Sequence, residues 1–158
     1  MIFYRTHDLA LIRSIMTHEK VWPAITDDLA GDPKDFMPVD HPATYYLAAH
    51  EGDHFLGIWM LNPENSVTWD VHTCLLPSAW GELAVRAAVH AIQWVWDNTP
   101  CLRLVTKVPV FNRLALRFAR MAGMVEYGRN PKSFLKNGQL HDQILLGISK
   151  PEVQCLQP

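Results

Sequence analysis

Apolar and polar residues alternate along this chain in two periods, one of strands and one of helices. Residues 2–6 are a short apolar-rich run that reads as a strand. Asp8 then stands where a helix N-cap belongs. Leu9, Ile12, Ile15 and Met16 follow at helical spacing, with Arg13, Thr17 and Lys20 facing away. Between residues 27 and 40 neither period survives. Gly31, Pro33, Pro38 and several aspartates there predict a loop, or a short helix with loops. Residues 45–50 and 54–61 read as strands joined by a hairpin turn at Glu51-Gly52-Asp53. A second turn at residues 62–65 leads into a third strand, residues 67–76.

The clearest helix covers residues 81–98. Glu82, Arg86, His90, Gln93 and Asp97 form one narrow polar stripe in an otherwise apolar sequence, so this helix packs deeply against a sheet. Asn98-Thr99-Pro100 stops it. Residues 102–108 read as another strand. Residues 112–122 read as a helix with Arg113, Arg117 and Arg120 on its outer face and Gly123 at the C′ position. Two last strands, residues 124–129 and 141–149, flank a polar loop containing Lys136-Asn137-Gly138. The order β-α-α-β-β-β-α-β-α-β-β predicts an α/β protein, with a central mixed sheet and helices on both faces. One domain over residues 1–150 and a loose tail over residues 151–158 account for the chain.

Composition narrows the function. A net charge of −2 gives no general pull toward nucleic acid or an anionic membrane. No apolar run reaches membrane-spanning length, and the chain opens on charge by Arg5, His7 and Asp8 instead of on a signal peptide. Cys74, Cys101 and Cys155 have no CxxC spacing and leave one unpaired, which fits a reducing compartment. The expectation is a cytoplasmic protein.

The stretch from Leu76 to Ala84 carries the most chemistry. It joins a strand to a long helix through a short loop, Pro77-Ser78-Ala79-Trp80-Gly81. The first N–H groups of a helix lack internal partners and sit at its positive end, so such a junction suits a pyrophosphate.

Three segments in this order resemble the GCN5-related N-acetyltransferase superfamily, and most closely its branch that acetylates the N-termini of ribosomal proteins. That branch carries an acidic residue on a strand, then Pro-x-x-Trp-Gly-Lys-Gly-x-Ala opening a helix. Here Asp70, Pro77, Trp80 and Gly81 match, while Glu82 replaces the lysine and Leu83 the second glycine. Asn112, Ala115 and Gly123 match the family's downstream Asn-x-x-(Ala/Ser) segment, with Met124 in place of its phenylalanine. The run from Lys136 to Ile148 resembles its final hairpin. The chain is also similar to small acetyltransferase-like proteins encoded by bacteriophages.

The resemblance implies acetyl-CoA as cosubstrate, bound where two parallel strands splay apart, and a primary amine as acceptor. The acceptor is a protein N-terminus, a lysine or a small molecule. Backbone groups of Cys74, Leu75 and Leu76 would pair with the pantetheine. Those of Trp80, Gly81, Glu82, Leu83 and Ala84 would hold the pyrophosphate, and Asn112 would hydrogen-bond the cofactor. Asp70 matches the family's acidic residue and is the general-base candidate, with His72 as a relay. The family's usual leaving-group acid, a tyrosine seven residues after the asparagine, is replaced by Ala119; Tyr127 is a nearby substitute.

Each residue has a plainer reading. Strand alternation puts Asp70, His72 and Cys74 on one face, where Asp70 can be a polar residue at the sheet surface, His72 a structural histidine and Cys74 a small apolar residue. Three alternating strand positions make a poor closed metal site, and no metal is expected. Trp80 can pack under its loop, and Asn112 is also a good N-cap. A leucine and a carboxylate at the phosphate loop favour an alternative: an acetyltransferase fold that has lost catalysis and serves as a structural or partner-binding module, in a phage particle or against a host protein. Partners under the two readings are an acyl donor with its amine acceptor, a second copy of the chain, or such a phage or host protein.

Overall fold

A computed structural model describes residues 1–151. Cys155 and all but the first residue of the expected tail lie outside the described residues. The elements run β1 (Ile2–Thr6), α1 (Leu9–Met16), α2 (Trp22–Ile25), β2 (Tyr45–Glu51), β3 (His54–Pro63), β4 (Thr68–Leu75), α3 (Glu82–Asn98), β5 (Arg103–Pro109), α4 (Arg113–Met121), β6 (Val125–Lys136) and β7 (Gln139–Ser149). The seven strands form one mixed sheet in the order β1-β2-β3-β4-β5-β7-β6. Every neighbouring pair is antiparallel except β4 and β5, which are parallel.

Each face of the sheet buries its own core. On one face the alanine-rich side of α3 (Ala84, Ala87, Ala88, Ala91) and Leu116 and Ala119 of α4 pack on Leu61, Trp69, Val71, Leu104 and Leu146. On the other, Ile12, Ile15 and Met16 of α1 pack with Val21 on Tyr46, Ala48, Ile58 and Cys74. The sheet is therefore covered from both sides, as the sequence pattern predicts. The small side chains of α3 let the helix axis approach the strands closely, which is why its polar stripe is so narrow.

The caps follow the sequence. The Asp8 carboxylate accepts from the Leu11 N–H, and the Asn112 side chain from the Ala115 N–H. Helix α4 ends with Gly123 at φ +94°. The Gly123 N–H donates to the Arg120 carbonyl and the Met124 N–H to that of Ala119, the paired bonds of a Schellman ending.

Four local expectations are corrected. The second helix is the single turn Trp22–Ile25, before the aspartate-rich stretch, which forms only turns. Proline at its first turn fixes the backbone there. Arg13 does not face away. It lies half-buried and donates to the carbonyls of Phe36 and Lys34, satisfying a loop that has no ladder of its own. Asn62 and Pro63 belong to β3 rather than to a turn. The polar loop between the last strands is itself strand. β6 and β7 continue to a two-residue turn at Asn137-Gly138, both at positive φ (52° and 71°). Its polarity misleads because β6 is the sheet edge, where both faces can stay wet.

Candidate functional site

The parallel pair β4–β5 is short. Thr68, Trp69 and Asp70 pair with Arg103, Leu104 and Val105, and there the pairing ends. β4 runs on to Leu75 along β3, and β5 to Pro109 along β7, so the two strands diverge and leave a wedge between them. The wedge opens directly beyond Asp70.

Its β4 wall has a definite polarity. The Val67 carbonyl accepts from the N–H groups of Leu102 and Arg103, on the β5 side, whereas the Leu76 N–H donates to the Leu56 carbonyl, on the β3 side. Backbone groups alternate along a strand, so Val71, Thr73 and Leu75 turn theirs into the wedge and Cys74 and Leu76 turn theirs away. Of the three residues expected along the pantetheine, only Leu75 has its main chain directed there. The Leu75 carbonyl already accepts from the Trp80 indole Nε1 at 3.0 Å. Trp80 is not packed under the loop: it is 50% exposed, with only its N–H directed inward. Cys74 is sealed in the α1-side core, and burial pushes its thiol up to about 12, so it stays a neutral, apolar-packed group.

At the far end of β4, Pro77–Ala79 makes one 3-10 turn and Gly81 opens α3 with φ +85° and ψ −140°. That backbone conformation belongs to glycine, and the space around its α-carbon is otherwise open, so the requirement is conformational rather than steric. Gly81 makes no side-chain cap, which leaves the first N–H groups of α3, those of Glu82, Leu83 and Ala84, without a cap among the described residues. Glu82 is exposed at the start of the outward polar stripe, and Leu83 is half-buried against the core. Neither side chain of the altered motif is thus directed at the amides by packing. These amides, and the part of the wedge backbone that Trp80 does not engage, fit an acyl-CoA chemically: pyrophosphate needs uncapped N–H groups, and pantetheine needs an unpaired strand edge.

The titratable groups meet at the mouth of the wedge. His72 Nε2 lies 3.0 Å from Asp70 Oδ2, with the imidazole 44% exposed and the carboxylate 14% exposed. Lys107 Nζ lies 3.9 Å from the same Asp70 oxygen and 3.1 Å from Glu64 Oε1. Burial alone pushes the Asp70 carboxyl up. The His72 hydrogen bond and charge, Lys107 and the Val71 N–H outweigh it and hold the group below its ordinary value. Asp70 Oδ1 is buried with no hydrogen-bond partner among the described residues. His72 Nδ1 makes no protein hydrogen bond among the described residues.

Asp70 and His72 come together as strand alternation requires. Asn112 lies at the end of the segment following β5, and its side-chain oxygen is engaged as the α4 cap. Ala119 is buried, so α4 offers no acid at that position. Tyr127 lies on β6, half-exposed beneath the Arg103 guanidinium and near Lys107. Sequence reasoning missed Lys107 and Glu64. The available signal was a lone lysine inside the apolar run 102–108, on the same alternation as Arg103 and Val105.

No protein-family model matches the sequence, and no curated protein matches it significantly. Solved structures match its fold. A chimera of the spermidine N-acetyltransferase SpeG from Vibrio cholerae and hSSAT superposes with a TM-score of 0.79 at 15% identity, covering 97% of both chains. The ribosomal-protein-S5-alanine acetyltransferase from Vibrio fischeri gives 0.71 at 15% identity, over 99% of this chain and 94% of the other. A dodecameric spermidine N-acetyltransferase from Vibrio cholerae gives 0.62 at 18% identity, over 71% and 68%. The fold is that of GCN5-related N-acetyltransferases. None of these likenesses bears on a bacteriophage source.

Proposed function

We propose that this protein is an N-acetyltransferase that moves the acetyl group of acetyl-CoA to a primary amine by direct attack within a ternary complex. The observation that carries the reading is the coincidence of two features: the β4–β5 wedge begins at Asp70, and the Asp70–His72 pair stands at its mouth. Acetyl-CoA would supply an activated acyl thioester. The main chain of Thr73 and Leu75 would line its pantetheine arm, and the amides of Glu82, Leu83 and Ala84 would receive its pyrophosphate.

Asp70, held ionised below the usual carboxylate range, is a weak proton acceptor by itself. Its position suits it better to fixing the imidazole. It accepts from the Nε2–H, which leaves Nδ1 with a lone pair. His72 then takes the proton of the attacking amine as the C–N bond forms and the C–S bond breaks. The thiolate leaves as CoA and takes its proton from solvent, since Ala119 offers none. Holding donor and acceptor together supplies much of the rate. Spermidine and alanine-bearing peptides of ribosomal protein S5 are the acceptors to assay first, because spermidine and ribosomal-protein-S5-alanine appear in the names of the similar enzymes. Self-association is a reasonable partner mode, as one similar enzyme is dodecameric. No described helix is long and apolar enough to cross a membrane.

Calorimetric titration with acetyl-CoA, followed by acetyl transfer to those amines, tests the proposal. Binding and turnover are expected; no heat at millimolar cofactor sinks it.

One observation favours a second reading, a module that has lost catalysis and binds a protein partner. The Trp80 indole occupies the Leu75 carbonyl that the pantetheine would need. If Trp80→Phe also fails to bind acetyl-CoA, this second reading stands and the enzyme does not.

A further inference from the structure

We propose that Lys107 is a positioning residue for the Asp70–His72 pair: its ammonium, held between Glu64 and Asp70 at the mouth of the wedge, offsets the carboxylate charge that the imidazole faces. The role of His72 rests on the function proposed above. The electrostatic coupling itself does not, and it can be read without turnover.

The geometry sets the charges. Asp70 Oδ2 is shared, with His72 Nε2 at 3.0 Å and Lys107 Nζ at 3.9 Å. Lys107 Nζ is also 3.1 Å from Glu64 Oε1, which comes from the turn entering β4. Lys107 is two residues beyond Val105, the last β5 residue paired with β4, so it reaches Asp70 across the opening strands. Two carboxylates and one ammonium leave a single net negative charge beside the imidazole. Without the ammonium there are two, and a doubly negative site holds a proton on His72 more tightly.

The other neighbours do not substitute for it. β3 places neutral Met60 and Asn62 opposite His72 and Asp70. On α1 the charged side chain is Arg13, whose guanidinium is tied to the carbonyls of Pro33, Lys34 and Phe36. His18, Glu19 and Lys20, after α1, line a separate hollow with Leu76, Pro77 and Ser78. On β5, Arg103 is engaged with Ser149 and the Tyr127 ring of β6.

The test is an NMR pH titration of the His72 ring in the wild-type chain, Lys107→Met and Lys107→Arg. In Lys107→Met the His72 midpoint is expected to rise by about half a pH unit or more, the size of one partly screened charge at this range. In Lys107→Arg it should stay within about 0.2 unit of wild type, and 1 M salt should shrink the difference. The acidic limb of kcat/KM should move by the same amount while the acetyl-CoA Kd stays unchanged. An unmoved His72 midpoint in folded Lys107→Met overturns the proposal. So does a shift in Lys107→Arg as large as that in Lys107→Met, because a role of shape rather than charge would produce it. If the midpoints move as expected but no variant turns over any amine, Lys107 keeps its coupling role and the acetyltransferase reading fails.

Discussion

Replacing His72 by alanine and Asp70 by asparagine separates the group that accepts the proton from the group that holds it. Asparagine keeps the volume of Asp70 and removes its charge. What is lost is one charge-assisted hydrogen bond at 3.0 Å, between a largely buried carboxylate and an imidazole 44% exposed. Hydrogen bonds to charged groups contribute about 1.5–3 kcal/mol, and the exposure of the imidazole places this one in the lower half. Asp70→Asn is therefore expected to lower kcat/KM by about 10- to 40-fold. Removing the base itself forfeits more, about 10²- to 10⁴-fold for His72→Ala. The double variant should cost scarcely more than His72→Ala, because an orienting residue has nothing left to orient. The assay is acetyl transfer with free CoA measured as released thiol, over a pH series. A loss in Asp70→Asn equal to that in His72→Ala would refute the division of labour and make Asp70 the base. A His72→Ala variant with wild-type activity would remove the histidine from the mechanism altogether.

Other outcomes follow from the same coordinates. Trp80→Phe frees the Leu75 carbonyl, and one neutral hydrogen bond of about 0.5–1.5 kcal/mol predicts acetyl-CoA affinity higher by about 2- to 10-fold; calorimetry that finds weaker binding shows the indole contributing to the site instead. Gly57→Ala should lower the melting temperature by about 5 °C or more, since its Cβ would lie 2.4 Å from the Cys74 carbonyl oxygen and its φ is +138°. Leu104→Ala removes a fully buried side chain at the centre of the sheet and should cost about 2–5 kcal/mol in denaturant unfolding. The Asp28 carboxylate ties the loop after α2 to the final hairpin through the Gly138 and Asn137 N–H groups, and these bonds hold its carboxyl below the ordinary range. A depressed value means this tie is present above the unfolded-state value and lost as pH falls through the folded one. Protection of the Asn137 and Gly138 amides, relative to their intrinsic exchange at each pH, should therefore fall at strongly acidic pH in the wild type and already at neutral pH in Asp28→Ala.

Much of the site was legible from local pattern, for particular reasons. Asp8, Asn112 and Gly123 act over three to five residues, so the sequence alone places the ends of their helices. Asp70 and His72 meet because strand alternation sets them two apart on one face. Arg13 was misplaced because its partners, Phe36 and Lys34, lie in a loop without periodicity. The stretch between residues 129 and 141 reads as a loop because an edge strand needs no apolar face, and only the Asn-Gly pair marks its turn.

The sequence by itself determined the order of strands and helices, the deeply buried side of α3, the helix caps and the uncommon glycine at the start of α3. These depend on periodicity and on backbone preferences that act within one turn or one strand. Only the tertiary structure decided where β4 and β5 part and which backbone groups of β4 face the gap. It also decided that the Trp80 indole fills the Leu75 carbonyl and that Lys107 reaches Asp70 from the neighbouring strand. Those depend on contacts between residues distant in the chain, whose register is set by the packing of two cores on the faces of one sheet.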